Sequence, residues 1–197
     1  LKLEPGVDTQ TLVTHAYNTA VEALNGTRNV LDPDAIDHAA TLLQRARQVY
    51  CLGQGGSQVL AEDIWARFSM ISTKFRTAGD SHMQAITASL MGPEDVLLFV
   101  SYSGSTRDMM DTLRLAKENG AKVILITHYD DAPGAALADV VLLCGAQENP
   151  LDSGSIPAKL AMLFVANVLV LRYTLDNQEL ANLSLSRTSQ ALGSKLL

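Results

Sequence analysis

The chain is poor in cysteine, in positive charge and in long apolar runs, and each shortage removes a class of function. Two cysteines, Cys51 and Cys144, fall in expected buried strands with no metal-ligand spacing. They read as small core residues in a reducing compartment rather than as a disulfide or a metal site. Lys and Arg number 15 against 21 Asp and Glu, for a net charge of −6 and a pI near 5.1. That balance argues against nucleic-acid binding by this chain alone. No uninterrupted apolar run approaches the roughly 18 residues of a membrane span, so no membrane partner is expected. The longest, around Leu160 to Leu171, is broken by Asn167. Without a secretory-signal pattern, the expected location is the cytoplasm. Internal repeats and low-complexity segments are also missing. So are the Gly-Lys-Ser/Thr ending of a Walker loop and the Gly-x-Ser-x-Gly turn of an α/β-hydrolase.

What is present is apolar material for a core. Hydrophobic residues make up 47% and charged residues 18%, which suits one folded domain. Leu12, Ala16, Ala20 and Leu24 recur at helical spacing and predict a helix from Asp8 or Thr9 to about Asn25-Gly26. Asp32-Pro33 starts a second helix, with Ile36, Ala39, Ala40 and Leu43 on one stripe. Strands are then expected at Val49–Leu52, Lys74–Thr77, Val96–Val100, Lys122–Thr127 and Val140–Leu143, alternating with helical patterns. Pro133 opens a short helix before the last of these strands. Glu148 to Ile156 reads as a polar loop, Pro157 to Tyr173 as a helix apolar almost all round and therefore buried, within the domain or between subunits, and 176–197 as a final helix. Such alternation predicts an α/β fold, a flavodoxin-like, doubly wound, five-stranded parallel sheet with helices on both faces and a helical lead-in.

The usual strand order of that fold, 2-1-3-4-5, puts its ligand crevice between the first and third strands, outside their carboxyl ends. The loops leaving those strands are Gly53–Ser57 and Ser101–Thr106. In the second, Ser105-Thr106-Arg107-Asp108 fits a helix capping box, so hydroxyls and a glycine crowd a strand-to-helix turn. Backbone N–H groups and the positive helix end converge there, which favours an anion. The first loop departs from a dinucleotide fingerprint. Gln58 stands at its third glycine, and Lys74, Arg76 and Thr77 stand where an acid is expected, so no cofactor is anticipated. Ser57 and Ser105, taken singly, would be helix N-caps. Taken together, Ser57, Ser101, Ser103 and Thr106 read as hydroxyl ligands of a phosphate monoester, with Arg107 turned to solvent.

The pattern Gly53-x-Gly55-x-Ser57, then Ser101-x-Ser103-Gly104-x-Thr106, then Leu113 to Ala121 and a valine-rich strand resembles a sugar isomerase (SIS) domain. The resemblance covers roughly 35–175 and implies a phosphosugar-binding domain that dimerises. By that resemblance Ser57, Ser101, Ser103 and Thr106 hold the sugar phosphate, helped by the Tyr102 backbone and, less directly, by Gly56. Members of the family serve as isomerases or as sensors. In the stand-alone isomerases a glutamate precedes the last long helix as the base, and here Ala158 stands in its place. Glu148 is then the nearby carboxylate able to reach the cleft. Lys159 would meet the phosphate or a sugar acid, unless it snorkels at the helix start.

From Gly79-Asp80-Ser81-His82 through Asp95-Val96 to Ser101–Thr106, the chain is most similar to the sensor half of RpiR-type transcriptional regulators. That resemblance implies a phosphorylated sugar or sugar-acid effector and a homodimer or tetramer. DNA would be contacted only through an N-terminal helix-turn-helix domain outside this chain. The start at Leu1 rather than Met agrees with a sensor separated from that domain. It divides the chain into a lead-in at 1–34, the binding domain at 35–175 and a helical tail at 176–197. His82 would approach the ligand, across a dimer, or bond to backbone at its helix start. The expectation is a binder and not an enzyme, with a stand-alone aldose–ketose isomerase as the alternative.

Overall fold

A computed structural model of the chain describes residues 6–145 and 155–193. Five parallel strands form one sheet: β1 (Gln48–Gly53), β2 (Phe75–Arg76), β3 (Asp95–Val100), β4 (Lys122–Thr127) and β5 (Val140–Leu143). Their order is β2-β1-β3-β4-β5, the flavodoxin-like order expected from the alternation. β3 lies at the centre and is buried at every position. Its side chains alternate, so Val96, Leu98 and Val100 enter one core while Leu97 and Phe99 enter the other.

Among the described residues seven helices surround the sheet, α7 packing on α6: α1 (Thr9–Val30), α2 (Pro33–Arg45), α3 (Gly56–Ser69), α4 (Ser81–Ser89), α5 (Arg107–Glu118), α6 (Ile156–Asp176) and α7 (Gln178–Gly193). The core of α1, α2, α3 and α6 lies on one face, and that of α4 and α5 on the other. A 3-10 turn at Ala135–Leu137 stands where the short helix after Pro133 was expected. Carboxylates start several helices. Asp8, Asp32 and Asp80 accept from Thr11 N at 3.0 Å, Asp34 N at 2.9 Å and Met83 N at 2.9 Å.

Local patterning misplaced three features. The first helix does not stop at Gly26 but runs on to Val30, and the reason is packing. A Cβ on Gly26 would come within 2.7 Å of Gly145 O, so this glycine permits close backbone approach instead of ending the helix. Thr27 Oγ1 fastens the contact by accepting from Gly145 N at 3.1 Å. β2 is only two residues long, Phe75–Arg76, although the Lys74 carbonyl still accepts from Val49 N of β1 at 3.0 Å, and the Lys74 side chain turns to α2. Its ammonium donates to Leu43 O at 2.6 Å, Gln44 O at 3.0 Å and Ala46 O at 3.3 Å, closing the carboxyl end of α2. Burial lowers its pKa.

The third feature is α6. One face, with Ala161, Met162, Val165, Leu169 and Tyr173, packs on α1, α2 and α3, and Tyr173 sits edge-on to Phe68 and Phe75. The other face exposes Ile156, Leu171 and Leu175, so the helix is not buried all round within one chain. At 21 residues and a mean hydropathy of 1.5 it is also long and apolar enough to cross a membrane, contrary to the reading of the ungapped run. Its buried face makes it a core helix of this domain.

Candidate functional site

The pairing of β1 with β3 runs from Gln48↔Asp95 to Gly53↔Val100, so both strands end level. Their exit loops therefore meet at one height, at the point where chain order reverses. Ser57, Ser101, Tyr102, Ser103 and Thr106 line one cleft there, together with Gln54, Phe99 and Val100, enclosing about 190 Å3. The sequence-derived hydroxyls do converge.

Each loop is shaped by glycine. Gly53 sits under the first turn of α3, where a Cβ would be 2.5 Å from Ser57 O. Gly55 has φ +56 and precedes α3 as its N-cap, leaving Ser57 inside the first turn and not in a capping role. In the second loop Gly104 has φ +59, and its N–H donates to the buried Ser101 Oγ at 3.2 Å. Its carbonyl accepts from Gly134 N at 2.8 Å. The expected capping box does not form: Thr106, not Ser105, is the N-cap of α5, and no side chain caps that end. The first-turn amides of α5 are thus without a side-chain cap, and the Thr106 hydroxyl faces Gln54 Oε1 at 3.3 Å instead. Arg107 is exposed, as expected.

The remaining candidates divide. Lys159, half-buried on the first turn of α6, reaches back to the first loop. A Cβ built on Gly56 would lie 3.6 Å from its Cε and 3.9 Å from its Nζ. A larger residue at 56 would stand in the way of that ammonium. His82, on the first turn of α4, is exposed and makes no hydrogen bond among the described residues, so the backbone-bonded alternative does not hold there. Beside it, Asp80, Ser81, Asp108 and the Gly79 backbone line a second, polar cleft of about 410 Å3 that shares Gln54 with the first. Glu148 lies outside the described residues. Ala158 is buried in the first turn of α6, and its N–H donates to Ser155 Oγ at 3.4 Å.

Two groups of residues went unnoticed in the sequence. Gln54 and Gln84 form an amide ladder behind the cleft. Buried Gln84 donates from Nε2 to Gly53 O at 2.7 Å, Gln58 Oε1 at 3.0 Å and Ala78 O at 3.2 Å, and Gln54 Nε2 approaches Gln84 Oε1 at 3.5 Å. A glutamine at a loop position carries no local signal of such a role. The other group is aromatic: Tyr102 stacks on His128 at 5.0 Å between ring centroids, and Tyr129 stands edge-on to both. His128 Nδ1 is 2.7 Å from Cys144 O, an acceptor, so that nitrogen carries the proton. The Tyr102 carbonyl accepts from Thr127 Oγ1 and His128 N, both at 3.0 Å.

In chemical terms the cleft offers hydroxyls and helix-end amides, with the Lys159 ammonium near Gly56 at the start of α3, a set suited to a compact multivalent oxyanion. Among the described residues no cluster of His, Cys, Asp and Glu could hold a metal ion.

The comparisons with known proteins agree with this geometry. The curated relatives include the HTH-type transcriptional regulator RpiR of Escherichia coli strain K12, 32% identical over 179 residues, which is 91% of this chain and 60% of that protein. The regulator HexR of Pseudomonas aeruginosa is 32% identical over 162 residues, 81% of this chain and 55% of that one. The chain thus spans about 60% of the length of RpiR. Of the solved structures, the Vibrio vulnificus NanR protein complexed with ManNAc-6P superposes with a TM-score of 0.89 at 24% identity, over 94% of this chain and 70% of that one. The sugar isomerase domain of an RpiR transcription factor from Sphaerobacter thermophilus gives 0.83 at 25% identity, over 91% and 98%. The model of the family described as SIS domain matches residues 42–172, across both serine loops and most of α6, and the chain belongs to that family.

Proposed function

We propose that this chain is the phosphosugar-binding effector domain of an RpiR-type transcriptional regulator, a binder and not a catalyst. One observation carries the reading: Ser57, Ser101, Ser103 and Thr106 line a single cleft at the sheet's switch point. The phosphate of a phosphorylated sugar or sugar acid accepts from these hydroxyls and from the amides of α3 and α5. Lys159 adds a positive charge beside Gly56, and the Tyr102 backbone and His82 complete the surroundings. Regulators among the relatives, and a fold neighbour whose structure contains ManNAc-6P, support a sugar-phosphate effector. Isomerisation needs a base to move a proton between neighbouring carbons. The buried methyl of Ala158 cannot supply one, and hydroxyls and amides hold a phosphate without moving a proton.

The binding unit is residues 35–175, with 1–34 as the lead-in and 176–197 as the tail. It acts in the cytoplasm as a homodimer, for which the exposed Ile156, Leu171 and Leu175 on α6 supply an apolar face. In the whole regulator, DNA is read by a helix-turn-helix segment outside this chain. A ligand that prefers one arrangement of the subunits shifts the spacing of those readers against their half-sites, and only by its difference in affinity for the two arrangements.

A panel of sugar phosphates, followed by thermal shift and by isomer interconversion, tests the reading. Binding without turnover is expected, and Ser103→Ala should abolish the shift. Turnover of any member of the panel would make the protein an isomerase. If no phosphorylated compound raises the melting temperature, the anion site itself is refuted.

A further inference from the structure

The amide ladder behind the cleft has a fixed polarity. Gln84 Nε2 faces two backbone carbonyls, Gly53 O at 2.7 Å and Ala78 O at 3.2 Å. A carbonyl can only accept, so the amino group of Gln84 must point there and its Oε1 must point to Gln54. That oxygen needs a donor, which turns the Gln54 amino group towards it at 3.5 Å. Gln58 fits the same direction: its Nε2 donates to Glu62 Oε1 at 2.8 Å, and its Oε1, 3.0 Å from Gln84 Nε2, shares the two protons of that amino group with the backbone carbonyls. What is left for the cleft is the Gln54 carbonyl. Its only donor among the described residues is Thr106 Oγ1 at 3.3 Å.

This creates a conflict when a phosphate arrives. A hydroxyl has one proton, and Thr106 cannot give it both to Gln54 and to a phosphate oxygen. Once Thr106 turns to the phosphate, the Gln54 carbonyl stands in the cleft beside an anion with no donor. It cannot flip its amide to help, because that would set two oxygens, Gln54 Oε1 and Gln84 Oε1, against each other. A hydroxyl donor on the ligand restores the balance without the cost of ordering a water there.

We propose that Gln54 is a specificity-determining residue: its ladder-oriented carbonyl accepts a hydroxyl of the ligand near the phosphate ester, selecting polyhydroxylated phosphate esters over bare ones. The proposal rests on the phosphate-binding reading of the cleft. It also explains how the first loop discriminates without a charged side chain. A missing hydroxyl leaves a polar group unpaired, a stronger penalty than a missing apolar contact.

The test compares methyl phosphate, which has no hydroxyl, with glycerol 3-phosphate and glucose 6-phosphate by calorimetry. The wild-type chain is set beside Gln54→Met and Gln54→Asn. Met keeps the length and removes the acceptor, while Asn keeps the amide and withdraws it from the cleft. The wild type should prefer at least one hydroxylated ester over methyl phosphate by about tenfold or more, and both variants should lose that preference while still binding methyl phosphate. A preference retained within twofold in both variants overturns the proposal. So does a wild type that binds all three esters equally. A wild type that binds no phosphate ester refutes the underlying reading instead, and Ser103→Ala, which should weaken all three alike, separates the two failures. Melting temperatures of the unliganded variants control for folding; if one variant fails to fold, the other decides.

Discussion

Gly104→Ala should damage both the stability and the anion cleft, by an amount the backbone sets. The residue has φ +59, a conformation that costs a non-glycine residue about 1–2 kcal/mol. It is also crowded, since a Cβ would lie 2.7 Å from Ala132 Cβ and 2.9 Å from Thr127 Oγ1. Forcing a methyl into packed surroundings costs typically about 1–3 kcal/mol more. The sum is about 3 kcal/mol, or roughly 6–12 °C in Tm for a domain of this size. Two other glycines near the clefts separate the contributions. Gly55 has φ +56 with ψ −126, outside the left-handed helical well, and nothing within 4 Å of its notional Cβ, so Gly55→Ala carries a purely conformational cost of about 1–3 kcal/mol. Gly79 has open space and no positive φ, so Gly79→Ala should be neutral or stabilising by up to about 1 kcal/mol. Urea and thermal denaturation followed by circular dichroism give the ranking Gly79, Gly55, Gly104. Because Gly104 N–H holds Ser101 Oγ and Gly55 opens α3, phosphate-ester affinity should fall in those two variants and not in Gly79→Ala. A Gly104→Ala protein no less stable than Gly55→Ala would refute the steric argument.

Two further perturbations address charge. Burial by itself would raise the Asp139 carboxyl, but bonds from Lys117 Nζ at 2.7 Å, Val123 N at 2.8 Å and Lys122 Nζ at 3.2 Å outweigh it and hold the pKa below 3.8. A lowered carboxyl pKa gives stability that is complete above the unfolded value and is lost as pH falls through the folded one. Asp139→Asn should therefore cost about 1–3 kcal/mol at pH 7 and show a shallower loss below about pH 4 in acid titration; an unchanged acid limb would sink this account. Lys159→Gln should weaken glucose 6-phosphate binding by about ten- to a hundredfold and flatten its salt dependence, as expected for a charge-assisted bond; equal affinities at 50 and 300 mM salt in the two proteins would place Lys159 outside the site.

The alternation of strands and helices made the sheet order readable, because a parallel strand buried on both faces writes itself as a continuous run such as Val96–Val100. The order then brought the two serine loops together without any knowledge of side chains. Loop positions were legible; what fills the space between them was not. Lys159 meets Gly56 only because α6 packs across α3, a tertiary fact. The ladder joins residues 30 and 52 positions apart in sequence through side-chain rotamers. Gly26 shows the same limit in reverse. Its composition signal pointed to a helix end, but contact with Gly145 overrode it. The Ser105 cap failed because α5 starts one residue later, with Thr106 as its N-cap and the Thr106 hydroxyl turned to Gln54 in the other loop.

The contact between Gly26 and Gly145 has a mechanical side. Two backbones meet there with no side chain between them, and Thr27 Oγ1 pins them at 3.1 Å. Side chains cushion most helix packing, since a rotamer can give way and absorb a displacement. Here nothing can. Gly145 begins the connection from β5 to α6, and Cys144 just before it is tied to His128 on the rim of the cleft. The first helix is therefore set against the strand exit by backbone contact, at a spacing that no rotamer change can alter.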